Sequence, residues 1–64
     1  MNWKEQNLRA RYVSNLECIK FCEKRIREAK EGTDLHRMGE IELLFREFIL
    51  EDHLVQASEL GMTL

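Results

Sequence analysis

The sequence predicts an all-α fold, a two-helix antiparallel hairpin that dimerises into a four-helix bundle. Three observations carry that expectation. The chain has no proline, and its apolar residues recur every three to four positions over two long stretches, the spacing of amphipathic helices. The stretches meet at Gly32-Thr33-Asp34, where a residue suited to ending a helix precedes two suited to starting one. The second stretch, Met38 to Val55, is apolar on two sides at about 100° per residue. One side holds Met38, Ile41, Phe45, Phe48, Ile49 and Val55; the other holds Leu43, Leu50 and Leu54, with Ala57 beside them. A helix apolar on two sides needs two neighbours, and a hairpin supplies one.

Helix one is expected over 3–31. Asn2, with Glu5 three residues later, resembles a capping box at its start. Its seam runs Leu8, Tyr12, Ile19, Cys22, Ile26 and Ala29. Gly32 serves as the left-handed stop, and the turn occupies 32–34. Helix two is expected over 35–60, capped by Thr33 or Asp34 and ended by Gly61, with 61–64 as a tail. Gly39 costs this helix about 1 kcal/mol relative to Ala; it either lets the two backbones approach or marks a later helix start. Acid-before-base pairs at i,i+4 (Glu5–Arg9, Glu23–Arg27, Glu42–Arg46) belong to solvated faces.

Heptads on the two seams give a register in which paired residue numbers add to 67, so that Cys22 meets Phe45, Ile19 meets Phe48 and Asn15 meets Asp52. In this register Leu43, Leu50, Leu54 and Ala57 are left to form the dimer interface.

Composition narrows the function classes. Sixty-four residues, 44% hydrophobic and 34% charged, describe one small domain too apolar for disorder at a net charge of −2. Below roughly 70–80 residues a disulfide, a metal or an oligomer usually adds the missing stability. Cys18 and Cys22 lie one helical turn apart, with Cβ atoms about 5–6 Å from each other, beyond the ~3.5–4.5 Å of an undistorted disulfide. They read as reduced thiols of a cytoplasmic protein. No signal-peptide pattern is visible, and the longest apolar runs, Leu43-Leu44-Phe45 and Phe48-Ile49-Leu50, fall far short of the ~18 residues of a membrane span.

Among candidate sites, the Asn15/Asp52 layer is either a carboxylate with a shifted pKa or a polar layer that sets register, and the second is the simpler account. A metal site at Cys18 and Cys22 lacks its remaining ligands, because His36 and His53 fall elsewhere in the register. No catalytic constellation and no cofactor motif is present. Trp3 and Phe21 share the back of helix one and are the candidate partner-binding residues, since Trp is enriched at binding hot spots.

Charge is uneven: residues 1–31 hold eight Lys/Arg and five acids, whereas 32–64 hold two Arg and seven acids. Arg9, Lys20, Lys24 and Arg27 form a basic strip about 60° wide on helix one, the nucleic-acid alternative. With that strip, the chain resembles in length and hairpin shape the Rop-type plasmid copy-control proteins, which dimerise into four-helix bundles and bind RNA. The resemblance rests on no residue motif. The expected function is that of a small non-enzymatic regulator acting by protein–protein binding as an inhibitor, adaptor or anti-activator. A Rop-like nucleic-acid binder is the alternative, and a structural subunit of a hetero-complex the third. A homodimer and a heterologous protein partner are expected, and no membrane.

Overall fold

The computed structural model describes residues 2–64. They form two α-helices, α1 (Trp3–Glu28) and α2 (Asp34–Glu59), packed side by side in an elongated hairpin of 46 × 16 × 13 Å.

Local hydrogen bonds set the ends of both helices. Asn2 Oδ1 accepts the Lys4 N–H at 3.0 Å, satisfying one of the free donors of the first turn. α1 stops at Glu28, three residues short of the expected 31, because Ala29 is extended (φ −81, ψ 143). Beyond it the chain turns, and the Lys30 carbonyl accepts from Thr33, from its hydroxyl at 2.6 Å and its N–H at 3.2 Å. Gly32 is therefore not the stop of α1. It is the third residue of a Lys30–Thr33 turn, at φ 86, which a residue with a Cβ adopts only at a cost. Thr33 Oγ1 then caps α2 by accepting the His36 N–H at 3.2 Å. At the far end Met62 N–H reaches Ala57 C=O at 2.9 Å and Gly61 N–H reaches Ser58 C=O at 3.1 Å. With Gly61 at φ 70, these two bonds make a Schellman cap.

The helices run antiparallel. Tyr12 meets His53 edge-on, with ring centroids 6.4 Å apart, and Ile26 meets Gly39; the residue numbers of each pair add to 65, not 67. The difference is decisive. Residues two apart on an α-helix point about 160° away from each other, so this register presents the opposite side of α2 to α1. The buried seam is Leu8, Asn15 and Cys22 from α1 and Gly39, His53 and Ala57 from α2. Leu43 and Leu50, half-buried, lie on the same stripe.

Small residues explain the choice. A Cβ on Gly39 would lie 3.0 Å from Ile26 Cγ1, and Ala57 is the smallest side chain that still fills the other end of the seam. Both let α1 approach closely, where a Phe at either level would hold the helices apart. The heptad face expected inside the hairpin is outside it. Met38, Ile41, Phe45 and Phe48 are between 59 and 69% exposed.

Total accessible surface reflects this arrangement. The hairpin exposes 5021 Å², against roughly 4,300 Å² for a compact globular chain of its 7.7 kDa.

Candidate protein-binding surface

The outward face of α2 carries an extended run of exposed apolar side chains. Met38, Ile41, Phe45 and Phe48 follow at intervals of three and four, with Leu44 (60% exposed) and Val55 (56% exposed) on the same side. One edge is walled by charge. Arg25 Nη1 donates to Glu42 Oε2 at 3.3 Å across the hairpin, and its guanidinium lies 5.8 Å from the Phe21 ring centroid. Arg25 and Glu42 thus border an open groove floored by Met38, Ile41 and Phe45. Apolar surface rimmed by an ion pair is the usual composition of a polypeptide-binding patch. Glu42 turns to Arg25 on the facing helix rather than to Arg46 in its own, as its i,i+4 spacing had suggested.

The polar residues lie on the other side, between the helices. Asn15, 3% exposed, donates from Nδ2 to the Arg46 carbonyl at 2.9 Å and so ties the middle of α1 to α2. Its expected partner Asp52 is exposed and accepts from Gln56 Nε2 at 2.6 Å. The pairing fails because the shift from 67 to 65 turns Asp52 outward and brings His53 in. His53 is 2% exposed; burial lowers its pKa below the usual imidazole value, and the nearby Arg11 cation lowers it further. Cys22, 1% exposed, has its thiol pKa raised, first by burial and then by the Glu42 carboxylate.

The structure separates most of the residues singled out above. Of the expected dimer-interface residues, Ala57 is buried against α1, and Leu43 and Leu50 are half-buried on the same stripe of the intramolecular seam. Leu54, 49% exposed, stays at its edge. Trp3 and Phe21 are both exposed but stand about 27 Å apart along α1 at 1.5 Å per residue. Trp3 borders a cleft at the open end of the hairpin with Asn7, Gln56 and Glu59; Phe21 belongs to the rim of the α2 face through Arg25. In the basic strip, Lys20 lies 3.5 Å from Glu17 and Lys24 3.9 Å from Glu28, pairs that offset half of its charge. Cys18 and Cys22 are free thiols. Among the described residues no group of three or more His, Cys, Asp or Glu is placed to hold a metal, and no helix is long and apolar enough to cross a membrane.

The residues left out of the sequence-based sites are Met38, Ile41, Phe45 and Phe48. Their signal was present as a heptad stripe, but it was assigned to the inside of the hairpin. No family model, no curated protein and no solved structure matches the chain.

Proposed function

We propose that the chain is a small non-enzymatic regulator that acts by binding protein through the outward face of α2, with two copies associating through that face into a four-helix assembly. The observation that carries this reading is the exposure of Met38, Ile41, Phe45 and Phe48 side by side on one helix. An unpartnered stripe of this kind is an aggregation liability in a chain that works alone and an asset in one that works by association. Free Cys18 and Cys22 support a reducing, cytoplasmic setting.

Light scattering on the wild type and on a chain carrying both Phe45→Asp and Phe48→Asp tests the reading. The wild type is expected as a dimer or in a stoichiometric complex, and the double variant as a monomer that has lost that association. A double variant with the wild-type mass and the wild-type companion would refute it.

A further inference from the structure

We propose that the occupant of the outward face is α2 of a second copy, antiparallel to the first, with the two-fold axis passing between Arg46 and Glu47. The proposal rests on the protein-binding reading above and names its partner.

The exposed stripe is a heptad seam, with Met38, Phe45 and Asp52 at a and Ile41, Phe48 and Val55 at d. Antiparallel helices oppose a with d, and a two-fold interface requires that if residue i meets j, then j meets i. Pairs whose numbers add to 93 meet both conditions along the whole stripe. Phe45 meets Phe48 twice at the centre, Met38 meets Val55 twice at the ends, and Ile41 meets Asp52 between them. The Asp52 carboxylate is not stranded there. Arg37 makes no ion pair within the described hairpin and sits one turn before Ile41, which brings its guanidinium within about a turn of Asp52 in the second copy. The neighbouring heptad register, adding to 86, sets Asp34 against Asp52 and leaves Val55 uncovered.

The elongated hairpin as a whole exposes about 700 Å² more than a compact chain of its mass, so surface remains to be covered by association. Because the stripe lies on the far side of α2 from α1, the two α2 helices form the central pair of the four.

The wild-type chain tests this without substitution. Met38 and Val55 are 17 residues apart, about 26 Å along one helix, so a nuclear Overhauser contact between their methyl groups can arise only between copies. The expected result is a dimer by light scattering and a Met38–Val55 methyl contact in a sample mixing isotope-labelled and unlabelled chains. A dimer that lacks this contact, or that shows Met38 against Phe48 instead, overturns the register and leaves self-association standing. A monomer, or a complex with a different protein alone, overturns the second copy as the occupant. Which protein the surface binds would then be read from that complex.

Discussion

Phe48→Asp separates the two sides of α2 most sharply. Phe48 is 69% exposed in the hairpin and touches little within its own chain, so the hairpin should change by no more than about 0.5 kcal/mol, as at other surface positions. Association should respond differently. Fully burying a Phe side chain contributes about 1.5–3 kcal/mol, of which roughly two-thirds remains to be gained on binding. A two-fold dimer loses that share twice, about 2–4 kcal/mol, or roughly 30- to 700-fold in Kd. The new carboxylate adds a desolvation cost in the same direction. Sedimentation across a concentration series measures the shift, and helical circular dichroism at a concentration where the variant is monomeric measures the hairpin. Leu50→Asp, two residues away on the opposite side, is the control: it places a charge in the α1–α2 seam and should cost the hairpin more than about 2 kcal/mol. If Phe48→Asp unfolds the chain while Leu50→Asp leaves it folded, the aromatic side is the inner one and the packing described above is wrong.

Asn15→Leu should stabilise the hairpin by about 1–2 kcal/mol in urea unfolding, because Asn15 Oδ1 is buried without a hydrogen-bond partner and the lost bond to a carbonyl is worth only about 1 kcal/mol; a loss of stability would show that the Asn15–Arg46 tie matters more than its burial cost. Gly39→Val should destabilise by about 1–3 kcal/mol through the Ile26 contact, and a thermal melt at or above wild type would contradict the close approach there. His53 titrates below its ordinary value in the folded chain, so the unfolded chain takes up the proton first. Stability should be complete above the unfolded imidazole pKa of about 6.5 and fall as pH drops below it. The comparison is with His53→Leu, whose unfolding midpoint should lose that component of the pH response; an unchanged response would exclude His53 as its source. In a thiol-labelling time course, half-buried Cys18 should react first and Cys22, buried and with its thiol pKa raised, only as the hairpin opens; equal rates would contradict the burial of Cys22.

The two helices, the turn between them and the caps at Asn2, Thr33 and Gly61 were legible in the sequence, because each depends on residues within a few positions of one another. The early end of α1 was less so. It follows from the extended backbone of Ala29 and the Lys30–Thr33 turn after it, and neither Ala29 nor Lys30 is a residue type that marks a helix end. The excess of apolar surface on α2 was also legible, since it follows from counting faces on one helix. Which face turns inward was not. Both sides of α2 satisfy the same 3.6-residue periodicity, and heptad matching favoured the bulkier one. Tertiary packing decided otherwise: Gly39 against Ile26 and Ala57 on the same stripe allow a closer approach than any layer containing Phe45 or Phe48. That two-residue change of register exchanged Asp52 for His53 in the interior, set Leu43, Leu50 and Ala57 on the stripe that faces α1, and left Met38, Ile41, Phe45 and Phe48 exposed. Periodicity records that a face is apolar, whereas only the fit of side chains across the gap between helices determines which apolar face is covered.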